Sequence, residues 1–168
     1  MLKPTFSFIA VVLLTLAAGC AVQPVQPVQP GATREEVMAR YGAPSMVVPL
    51  ASGTRLQYSR QPAGQTAVMV DLDAAGRVVS VRQVLNPADF SRVVVDQWTR
   101  ADTEREFGRP ASIDRVGTWS GDILTYRWRD AASFDMYFWV YLDAGNVVRR
   151  TGQGMDIKGK GFANHGFM

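Results

Sequence analysis

Two segments of the sequence follow the same pattern: residues 33–44 (TREEVMARYGAP) and residues 99–110 (TRADTEREFGRP). Each begins with a Thr followed three positions later by an acidic residue, which is the capping-box pattern of a helix N-terminus. Each ends in Gly-x-Pro, where the glycine suits a left-handed helix end and the proline prevents continuation. We therefore expect each segment to form a helix of about two turns that stops sharply.

The same order of motifs continues behind both predicted helices. A Leu-x-Tyr strand follows at Leu56 and at Leu124, and an alternating apolar strand that runs into a turn follows at residues 70–79 and 140–148. The offset between the copies is 66 residues at the first motif, 68 at the second and 70 at the third. Three motifs in one order at nearly constant spacing indicate an internal duplication, and each alternating strand with its turn predicts a β-hairpin.

The predicted fold class is α+β, with two tandem units. Each unit is a short helix, or a helix pair, packed on one face of an antiparallel meander sheet of three or four strands. The predicted segments are a signal peptide at residues 1–19, a lipidated Cys20 with a Val-Gln-Pro spacer at 20–30, a first unit at 31–86, a second unit at 87–151, and a disordered Gly/Lys tail at 152–168.

This succession of a helix closing in Gly-x-Pro, a Leu-x-Tyr strand and a hairpin resembles the BamE/SmpA/OmlA domain. The resemblance covers residue 31 to about residue 150, twice over. Members of that family are small outer-membrane lipoproteins, and one is an accessory of the β-barrel assembly machinery. The tandem arrangement is also similar to the β-lactamase inhibitor protein, in which two such units form one curved sheet with helices on its back. The resemblance implies a fold and a compartment, and no binding residue is carried over from it.

The N-terminus has the pattern of an export signal. Lys3 precedes an apolar run of about 13 residues, which is too short to span a bilayer core. The run ends in LAAGC at residues 16–20, which resembles the bacterial lipoprotein signal and implies that Cys20 is acylated after cleavage. In that family a residue other than Asp after the Cys, here Ala21, implies an outer-membrane protein facing the periplasm. The alternative is an ordinary cleaved signal with an incidental Cys.

Composition excludes several functional classes. One Cys and one His cannot supply a disulfide or a Cys/His zinc cage, and a net charge of +3 does not indicate nucleic-acid binding. Asp71 and Asp73 begin like a calcium loop, but Ala75 and Arg82 stand where ligands belong. His165 has no nucleophile at a recognisable spacing. We expect no catalytic residue, no metal site, no cofactor and no enzymatic activity.

The second copy carries a candidate protein-binding surface. Strand alternation places Tyr137, Trp139 and Tyr141 on the face opposite the helix, and Arg127 and Arg129 of the neighbouring strand on that same face. Aromatic residues beside arginines are enriched at protein interfaces. We call the surface of Tyr137, Trp139 and Tyr141 the aromatic face.

The first copy has the plain residues Met69 and Asp71 at the equivalent positions. The structural alternative for the aromatic face is that it packs against the other copy or only decorates the sheet.

The sequence thus predicts a non-enzymatic binding or stabilising lipoprotein of the outer membrane. Its expected partners are envelope proteins, with the β-barrel assembly machinery as the process that the resemblance implies. Two alternatives stay open. One is an inhibitor or adaptor of an envelope enzyme, and the other is a structural lipoprotein that binds lipid or cell wall through its basic tail.

Overall fold

The computed structural model describes residues 28–157. The predicted signal peptide, Cys20, most of the spacer and the segment from Lys158 lie outside the described residues. Within residues 28–157, eight strands form two antiparallel four-stranded sheets in simple meander order. Sheet 1 comprises β1 (Met46–Leu50), β2 (Gly53–Ser59), β3 (Ala67–Asp73) and β4 (Val78–Gln83). Sheet 2 comprises β5 (Ser112–Asp114), β6 (Ile123–Arg129), β7 (Asp135–Leu142) and β8 (Val148–Met155).

In the described part of the chain, three short helices accompany the sheets: α1 (Arg34–Tyr41), α2 (Pro87–Phe90) and α3 (Arg100–Phe107). Both predicted capping boxes form, since Thr33 exchanges hydrogen bonds with Glu36 and Thr99 exchanges them with Asp102. Gly42 follows α1 with φ of 80°, a left-handed region that favours glycine. Within residues 28–157 no helix is long and apolar enough to cross a bilayer.

The hairpin turns of the two copies are built alike. The Asp73 carboxylate accepts hydrogen bonds from the backbone N–H groups of Ala75 and Arg77, both at 2.9 Å. Asp143 does the same for Gly145 and Val147 in the second copy. These carboxylates therefore close turns, as their spacing predicts.

The elements stack in layers because each strand alternates its side chains between two faces. On one face of sheet 1, Leu56 and Val70 form a core cluster with Val37 of α1. On its other face, Ala67 and Met69 join a second, larger cluster. That cluster also contains Phe90 of α2, Phe107 of α3 and the inner face of sheet 2, with these members: Leu124, Tyr126, Trp128, Phe138, Val140 and Leu142.

The order of layers is therefore α1, sheet 1, the pair α2 and α3, then sheet 2. The fold is two tandem α+β units, as predicted. The described residues form two separate sheets, in contrast to the single curved sheet that the likeness to the β-lactamase inhibitor protein implies.

Two predicted segment boundaries shift. Val28, predicted to belong to the spacer, packs against the cluster around Val37. Residues 152–155, predicted to begin the tail, complete strand β8, which pairs with β7 as far as Met155. Glycines at 152 and 154 make this stretch look like a tail, yet they pair directly with Trp139 and Tyr137.

Candidate functional site

The outer face of sheet 1, opposite α1, holds the end of helix α3. Arg55 and Gln57 of β2 point to this face and are almost completely buried. The Gln57 amide donates to the backbone carbonyls of Glu104 and Arg105 at 3.0 and 2.9 Å. The Arg55 guanidinium donates to the Arg105 carbonyl at 3.1 Å. These carbonyls belong to the last turn of α3, where carbonyls lack the full set of partners that the helix interior supplies; the Glu104 carbonyl also accepts from the Gly108 N–H at 2.9 Å.

Arg55 is also the centre of a buried ion-pair network. Its Nε lies 2.6 Å from Oδ1 of Asp71, and its Nη1 lies 3.0 Å from Oε2 of Glu106 in α3. The hydrogen bonding that Arg55 donates to the Asp71 carboxylate is the main cause that raises the pKa of Arg55. Burial alone would raise the pKa of Asp71, but the hydrogen bond and charge of Arg55 outweigh burial and lower it. The two repeats are thus held together by a cation placed at the negative end of a helix.

Met69 and Asp71, which look plain in the sequence, have a structural role in this arrangement. Met69 has no exposed area, and Asp71 belongs to the network that joins the repeats. Their types are unremarkable for a strand, so only the tertiary contact with α3 reveals their role.

The equivalent outer face of sheet 2 has no helix or strand of residues 28–157 packed on it, and only the loop that carries Trp119 contacts it among those residues. The offset between the copies places Trp139 at the position of Met69 and Tyr141 at the position of Asp71. Tyr137, Trp139 and Tyr141 are each partly exposed, while the alternating residues Phe138, Val140 and Leu142 are buried. The aromatic face therefore points away from the first repeat, and the alternative that it packs against that repeat is wrong.

Two open cavities flank Trp139 on this face. One has a volume of about 510 Å³ and lies between Trp139, Tyr141, Trp119 and Val116. The other has a volume of about 530 Å³ and lies between Trp139, Tyr137, Met155 and Ile157. Both cavities include Asp114 and Thr125 in their walls. Trp139 thus stands as a ridge between two hollows of mixed apolar and polar lining.

The predicted arginines of the site have other partners. Arg127 lies beside Tyr137 in the strand register, but its guanidinium donates to the Pro62 carbonyl at 3.1 Å. Its backbone N–H also donates to Gln61, so Arg127 lies at the contact with the first repeat. Arg129 pairs with Asp135 at 3.0 Å, at the end of the strand. The structure therefore brings Arg127 to the border of the aromatic face and leaves Arg129 outside it.

A different cation lies on the aromatic face. The Arg150 guanidinium carbon lies 4.0 Å from the ring centre of Tyr141 and 5.7 Å from that of Trp119, which is cation–π geometry. Trp119 meets Tyr141 edge-on at 5.2 Å and donates from Nε1 to the Leu142 carbonyl. The sequence prediction missed both residues. A β-bulge between Tyr141 and Leu142 shifts the register, so that Arg150 rather than Arg149 lies opposite Tyr141, and counting from the turn would not have found it.

The hydroxyl of Tyr137 is anchored at the far end of the face. Burial first, and then a hydrogen bond to the carboxylate of Asp156, raise the pKa of Tyr137. Asp156 is itself nearly buried, and its Oδ2 lies 3.9 Å from Nη2 of Arg127. The phenol therefore stays neutral at ordinary pH and acts as a fixed hydrogen-bond donor.

The described residues offer no arrangement for metal chemistry. No group of three or more His, Cys, Asp or Glu side chains within residues 28–157 could hold a metal ion. What the aromatic face offers is area, hydrogen-bonding groups and one cation on a rigid strand pair, which is a set suited to binding.

Comparison with known proteins adds little. No family model matches the chain, and no curated protein matches it. Among solved structures, the chain is similar to a DUF4309 family protein, YjgB, from Bacillus subtilis. The two are 13% identical with a TM-score of 0.30, over 74% of this chain and 79% of that one. A likeness at that TM-score carries no argument about fold or function.

Proposed function

We propose that the protein is a non-enzymatic binding factor of the bacterial envelope, which captures a protein partner on the aromatic face of sheet 2. The observation that carries the proposal is the difference between two equivalent faces. The outer face of sheet 1 buries the end of a helix through Arg55 and Gln57. Its counterpart in sheet 2 leaves Tyr and Trp side chains partly exposed beside an exposed Arg, and these residue types dominate the binding energy of protein interfaces.

We propose further that Cys20 carries the lipid that holds the protein on the periplasmic side of the outer membrane, and that the process it serves is assembly of outer-membrane β-barrel proteins. The signal-like residues 1–20 and the motif resemblance support this placement. Replacement of Cys20 by Ser should abolish incorporation of radiolabelled palmitate and shift the protein from the membrane to the soluble fraction. Undiminished labelling of that variant would contradict the assignment of Cys20.

Site-specific photocrosslinking in living cells tests the binding function. A benzophenone amino acid replaces Trp139 in one strain and Val79 in another, because Val79 is also an exposed strand residue but lies in sheet 1. We expect a discrete protein adduct from position 139 and none from position 79.

The identity of the adduct decides between functions. A component of the β-barrel assembly machinery supports the proposal. A single envelope enzyme, inhibited stoichiometrically by the purified protein, would replace the assembly role with that of an inhibitor. Adducts with lipid alone would overturn protein binding in favour of a structural role.

A further inference from the structure

Strand β8 forms an unusually open edge of sheet 2. Two sheets have four edge strands, and proteins normally protect such edges with short strands, proline or charge. Here β1 has five residues and contains Pro49, β4 has six residues and β5 has three. By contrast, β8 has eight residues, and residues 151–155 of it carry neither proline nor charge.

The register fixes which backbone groups of β8 point outward. The Asp156 N–H donates to the Asp135 carbonyl at 2.8 Å, so these residues form a hydrogen-bonded pair. Such pairs alternate along an antiparallel ladder. Gly154 and Gly152 therefore direct their backbone groups to β7, whereas the N–H and C=O groups of Thr151, Gln153 and Met155 point away from the sheet.

Only the start of this edge is covered by the described chain. Val148 exchanges backbone hydrogen bonds with Asp96 and Trp98, at 2.8 Å each. Beyond it, β8 is the last strand of its sheet, and no segment of residues 28–157 pairs with residues 151–155.

The aromatic face reaches this same edge. Gly152 and Gly154 lie beside Trp139 and Tyr137 on the outer face. Because these glycines have no side chains, nothing on β8 separates the two rings from an additional strand at this edge. A Cβ atom at Gly154 would lie only 2.8 Å from a ring carbon of Trp139, so the indole covers the glycine backbone. Side chains of a strand added about 4.8 Å beyond β8 would therefore contact the indole directly.

Charge distinguishes the two ends of the edge. Arg149 is neutralised by Asp96 and Asp143, at 2.7 and 2.8 Å. Arg150 stands on the outer face with ring contacts only, and no carboxylate within residues 28–157 pairs with it. A carboxylate of an incoming segment would find its counter-charge at this end.

We propose that the edge of β8 binds one extended segment of a partner protein as a fifth strand of sheet 2. The segment alternates its residues, with aromatic or aliphatic side chains toward Trp139 and an acidic side chain near Arg150. This inference rests on the proposed function, since it specifies how the partner of the aromatic face is held. Backbone hydrogen bonds to Thr151, Gln153 and Met155 supply affinity, and the aromatic face supplies selectivity.

Proline at position 153 tests the backbone role separately. Gln153 is exposed, and its N–H points outward, so Gln153→Pro removes one docking donor and leaves the β7 ladder intact. Gln153→Ala is the matched control, because it changes the same side chain and keeps the N–H. The probe is a displayed library of random twelve-residue peptides, selected on the purified chain.

We expect selected peptides to show period-two alternation with an acidic residue at one end. Their affinity should fall about tenfold with Gln153→Pro and less than about twofold with Gln153→Ala. Peptide binding should also slow amide exchange at residues 151, 153 and 155, measured by NMR on the full wild-type chain. That readout stands even if Gln153→Pro does not fold.

Four results would overturn strand addition. They are selected peptides without alternation, no selected peptides at all, equal binding to Gln153→Pro, and exchange at residues 151, 153 and 155 that is already slow in the free chain. If exchange is already slow in the free chain, the edge is covered either by a second copy of the chain or by residues 158–168. The molecular mass from sedimentation distinguishes a dimer from a monomer and so decides between these two. A partner adduct at position 139 that Gln153→Pro leaves unchanged would remove strand addition and keep the proposed binding function.

Discussion

The outer faces of the two sheets occupy equivalent positions in the two units but differ in what covers them. In sheet 1, Arg55 and Asp71 form a buried network that receives the end of α3. In sheet 2 the positions of Met69 and Asp71 carry Trp139 and Tyr141, which no helix or strand of residues 28–157 covers, although Trp119 and Arg150 contact Tyr141. A duplicated unit stacked head to tail has one such face inside the molecule and one at its end.

This difference gives equivalent positions two roles: the internal face contributes to stability, and the terminal face is the one that we propose for binding. The internal face uses charge and hydrogen bonds to seat a helix end, because unpaired carbonyls need donors. The terminal face presents aromatic surface, which is suited to reversible binding of a partner. Four measurements can break or sharpen the comparison.

The largest effect should follow from Arg55→Ala. The change leaves the carboxylates of Asp71 and Glu106 and the last carbonyls of α3 without their cation in a buried place. We expect a loss of about 3–5 kcal/mol in the free energy of unfolding, measured by urea denaturation. The control is Arg150→Ala on the terminal face, with a loss under about 1 kcal/mol. Similar losses at both positions would contradict the contrast between the faces.

Truncation of equivalent residues should separate stability from binding. Met69→Ala opens a cavity between the repeats and should cost about 2–4 kcal/mol of unfolding free energy. Trp139→Ala should cost about 1 kcal/mol or less, because the indole is partly exposed, and should abolish partner capture. Thermal melts and capture assays on both variants measure this. A large stability loss with Trp139→Ala would identify the aromatic face as core.

Low pH should weaken the Arg55–Asp71 ion pair at the contact between the repeats and so lower the free energy of unfolding. The folded-state pKa of Asp71 is lowered below 3.8, so its stabilising contribution is complete well above 3.8 and disappears as pH falls through the lower, folded value. We expect Asp71→Asn to flatten the fall of stability between about pH 5 and pH 2. Asp143→Asn, in an exposed turn, is the comparison variant and should flatten it less. Identical profiles for both would argue against a special role of Asp71.

The smallest effects concern the helix caps. Thr33→Ala and Thr99→Ala each remove a capping hydroxyl and should each cost about 1 kcal/mol. Thr99→Ala should cost at least as much, because α3 lies between the sheets and both repeats rest on it. Thr→Ser at either position keeps the hydroxyl and should restore stability. A greater loss at Thr33 would reverse the expected ranking of the two helices.

Local features of the fold could be predicted because neighbouring residues determine them. The capping boxes at Thr33 and Thr99, the hairpin turns at Asp73 and Asp143, and the buried alternation of β7 all follow from short-range spacing. The duplication extended each prediction to the other copy.

Long-range contacts could not be predicted in this way. Nothing local to Arg55 says that a carbonyl 50 residues away will accept from it. Arg127 looked like a binding residue because its face was predicted correctly, while its contact with Pro62 arises only when the repeats stack. Arg150 was missed because the bulge between Tyr141 and Leu142, which places it opposite Tyr141, appears only in the folded register.

The layered order also gives the molecule a direction in space. Val28 packs beside Tyr41, so the chain enters at the α1 layer, at the end of the stack opposite the aromatic face. With layers about 10 Å apart, the entry point and that face are separated by roughly 30 Å. A protein tethered through this entry point, as proposed for Cys20, would turn its aromatic face away from the lipid and toward passing clients. A single gene duplication would thus have supplied both a distance from the membrane and an orientation.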